Sequence, residues 1–85
     1  MNYRQLETFR AVMLSGSASR AAELLDITQP AVSRTIAELE KGVGFVLFER
    51  IKGRLVTTPE AQMLLNEVEK SFVGLDRIRA EAARI

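Results

Sequence analysis

The 85-residue sequence contains no cysteine and no histidine. Without cysteine the chain can form no disulfide and cannot sense redox state through a thiol. Without histidine it lacks the commonest general base and the commonest metal ligand, so only carboxylates could bind a metal ion. We therefore expect neither a metal nor another cofactor in this chain.

Long apolar runs are also missing. No segment approaches the roughly 20 consecutive apolar residues of a membrane-spanning helix, and no signal-peptide pattern opens the chain. The fractions of hydrophobic (47%) and charged (27%) residues are typical of a globular protein. We expect a cytoplasmic location and no membrane partner.

Features of an enzyme are scarce. The neighbouring carboxylates are Glu38 with Glu40 and Glu67 with Glu69, and residues two apart on a helix point in different directions. No glycine-rich phosphate loop and no nucleophile with an adjacent base is present. The sequence therefore indicates a non-enzymatic function.

The net charge of +1 is too small to indicate a nucleic-acid partner by itself. Its distribution is more informative, because residues 1–58 hold eight Lys or Arg against six acids, whereas residues 59–85 hold four against five. The positive excess lies in the first part of the chain.

The segment from Ser17 to Gly44 predicts two short helices joined by a tight turn, which is a helix-turn-helix. Ser17 is a suitable N-cap for the first helix. Thr28 can cap the second, and Pro30 suits its first turn, so we predict this helix over residues 28–42.

The second helix of this pair has two distinct faces. Apolar residues recur at spacings of four, three and four and predict a buried stripe of Val32, Ile36, Leu39 and Val43. The opposite face carries Gln29, Ser33, Arg34, Ala37 and Glu38. Such a face could lie in a DNA major groove, although an ordinary solvated helix surface has the same pattern.

Four short motifs in this region resemble the DNA-binding domain of LysR-type transcriptional regulators. They are the residues Ala21 to Leu25, Gln29 to Arg34, Leu39 with Glu40, and Leu47 to Arg50, in the family's order and spacing. The chain departs from the family pattern at Ala18, where a larger apolar residue is usual. The resemblance implies a mainly α winged helix-turn-helix with three helices and a two-stranded wing over residues 1–58, followed by a linker and dimerisation helix over 59–85.

The first helix is expected to begin after Asn2, with Gln5 completing a capping box. Its apolar stripe is Leu6, Phe9, Val12 and Met13. Arg4 and Arg10 project elsewhere and could contact phosphate, although a solvated arginine is the commoner outcome.

A hairpin is predicted over residues 46–57, the wing, from an apolar run at Phe45–Ile51, a turn at Lys52 and Gly53, and a second strand at Arg54–Thr57. Phe48 is expected to reach the core. The cations Arg50, Lys52 and Arg54 could enter a minor groove or hold phosphates, or could simply keep an exposed edge soluble.

The last helix opens at Thr58 and Pro59 and should run to the end of the chain. Its apolar residues step by three and four in the manner of a coiled-coil seam. We predict a homodimer through this seam, which consists of Leu65, Val68, Phe72, Leu75, Ile78 and Ala82. The family favours antiparallel pairing, and Met63 and Leu64 are expected to pack back onto the body.

The leading hypothesis is a dimeric, sequence-specific DNA-binding domain that reads a palindromic operator in double-stranded DNA. Gln29 would pair with adenine and Arg34 with guanine, beside Ser33 and the apolar Pro30. Phosphates would be held at the start of the preceding helix by Ser17, Ser19 and Arg20. In the family this region leads to an effector-binding domain, which these 85 residues lack, so any effector ligand would bind outside this sequence.

A second hypothesis of another class is a protein-interaction module, in which the winged helix is a scaffold and the long helix binds a different protein. The salt dependence of binding distinguishes the two, because phosphate contacts weaken steeply with salt and an apolar seam does not.

Overall fold

The chain folds into four helices and one hairpin, which lies between the third and the fourth helix. The computed structural model describes all residues from 1 to 85. The helices are α1 (Tyr3–Ser15), α2 (Ala18–Leu25), α3 (Gln29–Val43) and α4 (Pro59–Arg84). The strands β1 (Phe48–Ile51) and β2 (Arg54–Thr57) pair antiparallel. The predicted winged helix-turn-helix with a long final helix is confirmed. None of the four helices combines the length and the apolar character that crossing a membrane requires.

Every helix begins at a polar side chain that accepts a hydrogen bond from the backbone N–H three residues later. These N-caps are Asn2, Ser17, Thr28 and Thr58, with donor–acceptor distances from 2.9 to 3.2 Å. Each satisfies one backbone donor that the first turn leaves unpaired. The capping box predicted for α1 also requires the Gln5 side chain to accept a hydrogen bond from the backbone N–H of Asn2. This bond is missing, since Oε1 of Gln5 is buried and has no hydrogen-bond partner.

The ends of α2 and α3 are set by residues in the left-handed backbone region. Asp26 (φ 55°) follows α2, and Gly44 (φ 85°) follows α3. Short polar residues and glycine adopt this conformation at the lowest steric cost. The helix was predicted to end at residue 42, but Gly42 lies inside α3, and the helix continues to Val43.

One hydrophobic core joins all four helices to the base of the hairpin. Phe9, Leu39 and Leu47 are fully buried in it. The complete core is Phe9, Val12, Ala21, Ala22, Val32, Ile36, Leu39, Leu47, Ala61, Leu65, Val68 and Phe72. Phe48 packs against this core, with its ring centroid 6.0 Å from that of Phe9, as predicted.

The predicted seam along α4 is divided between two environments. Leu65, Val68 and Phe72 are only 8%, 4% and 8% exposed, because the first half of α4 packs on the body of its own chain. The prediction that these three side chains pair with a second protomer is therefore wrong. Leu75 is half-buried, and Ile78 and Ala82 are exposed on the half that extends beyond the body. Leu64 packs against the core as expected, whereas Met63 is 69% exposed and does not.

The hairpin is shorter than its apolar run suggested, because β1 begins at Phe48 and not at Phe45. Arg50 lies opposite Leu55, and Ile51 opposite Arg54. Both turn residues, Lys52 (φ 52°) and Gly53 (φ 76°), have positive φ. A two-residue turn of this kind matches the right-handed twist of the strands.

Candidate nucleic-acid interface

The face of α3 that points away from the core is polar and fully accessible. Gln29, Ser33, Arg34, Ala37 and Glu38 are all exposed, and we call this set the α3 ridge. Val32, Ile36 and Leu39 hold the opposite face in the core, so the helix cannot rotate to hide the ridge. The two faces predicted from the sequence are therefore confirmed.

The start of α2 contacts the start of α3. The Ser19 hydroxyl donates a hydrogen bond to Oε1 of Gln29 over 3.1 Å. Because Oε1 can accept a second bond and the amide nitrogen stays free, this contact orients Gln29 without occupying it. Ser17 is engaged as the N-cap of α2, and Arg20 is exposed beside it.

Glu40 connects α3 to the base of the wing. One carboxylate oxygen, Oε2, accepts the backbone N–H groups of Leu47 (2.6 Å) and Phe48 (3.2 Å). Thr58 completes the connection, since its hydroxyl donates to the carbonyl oxygen of Val46 over 2.8 Å and also caps α4. The wing is thus attached to both α3 and α4 by hydrogen bonds at its base.

The three cations of the wing lie in different places. Arg50 shares a face of the hairpin with Leu55 and Phe48 and lies beside α3, where it lines a cleft with Ser33 and Ala37. Side chains of adjacent register pairs point to opposite faces, so Arg54, opposite Ile51, projects from the other face. Lys52 is at the tip. The sequence grouped the three residues, and the strand pairing separates them.

The cleft between the wing and α3 that Arg50 lines is an open cavity of about 160 Å³, which we call the cavity under the wing. Ala18 lines it together with core residues of α1 and α3 and with Phe48 and Leu55. The side chain of Ala18 is a single methyl group, which leaves this space unfilled.

Ion pairing leaves the cations near α3 free. All four ion pairs of the chain include a residue of α4. Of the eight Lys and Arg residues in 1–58, only Arg10 is paired, with Glu69, and its guanidinium also lies 4.7 Å from the ring centre of Phe72. Arg10 therefore connects α1 to α4, and an ion pair already engages its charge.

The other seven cations of residues 1–58 are exposed and unpaired. They are Arg4, Arg20, Arg34, Lys41, Arg50, Lys52 and Arg54. Unpaired cations around an exposed polar helix are the electrostatic pattern of a surface that binds a polyanion.

Sequence reasoning missed how Glu40 works and where Arg4 lies. Glu40 belonged to a recognised motif, but its partners lie seven and eight residues further on and could not be inferred from helical spacing. Arg4 lines a cleft against α3 together with Asn2 and Gln5. Only the fold brings the start of α1 to this position.

Comparison with known proteins places these features in context. Residues 3–62 match the family described as bacterial regulatory helix-turn-helix protein, lysR family. The octopine catabolism/uptake operon regulatory protein OccR of Rhizobium meliloti is 49% identical over 85 residues, covering 100% of this chain and 29% of OccR. The transcriptional activator protein LysR of Escherichia coli (strain K12) is 49% identical over 82 residues, covering 96% of this chain and 26% of that protein.

Solved structures agree with the sequence comparison. The DNA-binding domain of BenM in complex with catB site 1 DNA superimposes with a TM-score of 0.90 at 34% identity, covering 99% of this chain and 94% of that one. The chain spans less than a third of the length of OccR and LysR.

Proposed function

This chain belongs to the lysR family of bacterial regulatory helix-turn-helix proteins and forms the DNA-binding domain of a LysR-type regulator, and we propose that it reads a palindromic operator in double-stranded DNA as a homodimer. In the proposed complex the α3 ridge enters the major groove. The wing lies at the adjacent minor groove or on its phosphates. The full-length protein would regulate transcription in the cytoplasm, with its effector bound to a further domain.

The observation that carries this proposal is a set of unpaired arginines at the α3 ridge. Arg34 lies on the ridge, and Arg4 and Arg50 line clefts along its two sides. A solvated helix surface needs no such arrangement. In this chain the acids of α4 pair with cations of α4 and with Arg10, so they do not neutralise the others. A phosphate backbone is the partner that an unneutralised set of arginines binds best.

Base reading is assigned to the ridge. Arg34 is exposed at its centre and can donate two bonds to guanine O6 and N7. Gln29, oriented by Ser19, can pair with adenine N6 and N7. Ser33 can bond to either base, and Pro30 offers an apolar contact to a thymine methyl group.

Backbone contacts are assigned to the residues at the edges of the ridge. Arg20 is the principal phosphate ligand on α2, since Ser17 and Ser19 already make hydrogen bonds within the protein. Arg50 is close enough to α3 to hold a phosphate at the rim of the major groove. Lys52 and Arg54 would act on the phosphates that border the adjacent minor groove.

The dimer is assigned to the second half of α4. Leu75, Ile78 and Ala82 follow the buried part of the seam, and no residue of the same chain covers Ile78, which is 67% exposed. Two copies of this half could bury each other's apolar residues, which a single chain leaves in water.

Selection from a pool of random DNA duplexes tests the proposal. The chain should enrich fragments that share a motif with two-fold symmetry. For an enriched duplex, the logarithm of the binding constant should fall linearly with the logarithm of the salt concentration, by about 0.9 for each phosphate contacted. A pool that shows no enrichment, with salt-independent retention of a protein partner, would instead favour the interaction module.

A further inference from the structure

The cleft between the start of α1 and α3 brings Arg4, which belongs to none of the sequence motifs and to none of the proposed base contacts, next to the α3 ridge. We propose that Arg4 binds a DNA phosphate on the side of α3 opposite to Arg50 of the wing. This inference rests on the proposed function. It adds a contact to the second strand that borders the major groove.

The two sides of α3 have different neighbours. On one side Ser33 and Ala37 line a cleft with Arg50 of the wing. On the other side Ala31, Arg34, Thr35 and Glu38 line an open cleft of about 280 Å³ with Asn2, Arg4 and Gln5 of the α1 start. Residues of α3 advance by about 100° each, which places Ser33 and Thr35 on opposite flanks of the ridge. Arg4 therefore stands across α3 from Arg50.

The charge of Arg4 is free to act on a ligand. Its side chain is exposed, and the first turn of α1 contains no acidic residue. Glu7, one turn further along α1, and Glu38, the only acid in the cleft, do not form an ion pair with it. Arg34 in the same cleft is also unpaired, so two free guanidinium groups face this space.

The width of the DNA major groove determines which DNA groups lie next to this cleft. A helix in the major groove, which is about 12 Å wide, has a phosphate strand on each side. If the α3 ridge reaches the base edges, the two sides of α3 face those two strands. Arg50 of the wing is placed for one strand and Arg4 for the other. A guanidinium can grip a phosphate with two parallel hydrogen bonds.

The test compares Arg4→Ala with Arg77→Ala on a duplex enriched by the unmodified chain. Arg77 is the matched control, because it is an exposed and unpaired arginine on α4. Arg4→Ala should weaken binding roughly tenfold at low salt and make the salt slope shallower by about 0.9 for each protomer bound, with unchanged base preference. Arg77→Ala should bind as the unmodified chain does.

A scan with single methylphosphonate substitutions, each removing one phosphate charge, identifies the strand. One substitution should weaken the unmodified chain and have no effect on Arg4→Ala. It should lie across the groove from the substitution that loses its effect in Arg50→Ala. An unchanged salt slope in Arg4→Ala, or a shared phosphate for Arg4 and Arg50, would overturn the inference. If the Arg4 inference fails but Arg34→Ala still alters base preference in the same assays, the proposed function is retained. If the unmodified chain shows no preference at all, the proposed function itself has failed.

Discussion

Single side chains set the geometry of the interface. Glu40 does so with one carboxylate oxygen, which accepts two backbone N–H groups at the base of the wing. Leu47, one of the two donors, is fully buried, so water cannot replace the lost acceptor without entering the core. Ser19 has a comparable role at the other end of α3, where it orients Gln29.

Replacing Glu40 with alanine is expected to lower the free energy of unfolding by about 1–3 kcal/mol, because it leaves the Leu47 N–H unsatisfied. Glu38→Ala is the matched control, since Glu38 is exposed and makes no hydrogen bond within the chain. It should change stability by less than about 0.5 kcal/mol. Thermal unfolding of both variants measures the difference. Equal melting temperatures for the two would show that the carboxylate contributes nothing to holding the wing.

Helices and strands differ in how far their residues could be placed from the sequence. The N-caps at Ser17, Thr28 and Thr58 depend on residues three positions apart, so local chemistry was sufficient to predict them. The buried stripe of α3 could be predicted equally well, because helical periodicity alone defines it. The α3 ridge follows as the face that remains.

The role of α4 could not be predicted in the same way. Apolar residues spaced by three and four form a stripe along a helix, and this spacing is the same whether the stripe packs on the helix's own chain or on a second chain. Phe72 and Ile78 both belong to the predicted seam, but Phe72 is 8% exposed because it packs on the body, whereas Ile78 is 67% exposed. The same limit applies to the wing. Strand pairing places Arg50 and Arg54 on opposite faces of the hairpin, and the sequence alone does not show this.

The cavity under the wing gives a prediction for α2. Ala18→Val should raise the free energy of unfolding by about 0.5–1.5 kcal/mol, since the added methyl groups fill space that now lacks contacts, at about 0.8 kcal/mol per group. Ala80→Val on the exposed part of α4 is the control and should be slightly destabilising, because valine is a weaker helix former. Chemical denaturation compares the two. A loss of stability in Ala18→Val would mean that the cavity cannot accommodate the larger side chain.

The whole molecule is a body with a projecting arm. The chain is 50 Å long but only 25 and 19 Å across, and α4, whose 26 residues account for about 39 Å, provides most of the length. Every residue of α4 from Asp76 onwards is exposed. An exposed arm with an apolar residue such as Ile78 is suited to join two bodies at a fixed distance, which a two-fold symmetric site requires.

Two substitutions on α4 should separate folding from association. Leu65→Ala removes a core side chain and is expected to lower the free energy of unfolding by about 2–4 kcal/mol. Ile78→Asp should leave the folded body intact and weaken the dimer, since it places a charge where two arms meet. Sedimentation equilibrium and thermal unfolding over a range of protein concentrations measure both effects. If Ile78→Asp associates as strongly as the unmodified chain, the dimer uses another surface.

The central claim is that the α3 ridge reads bases, and Arg34→Ala tests it most directly. Lys52→Ala is the comparison, because Lys52 lies at the tip of the wing and is assigned to the backbone. On an enriched duplex and a set of single-base variants of it, Arg34→Ala should bind about 1–3 kcal/mol more weakly and lose its preference at one base pair. Lys52→Ala should weaken binding to every duplex by a similar factor. Full retention of sequence preference by Arg34→Ala would contradict the claim.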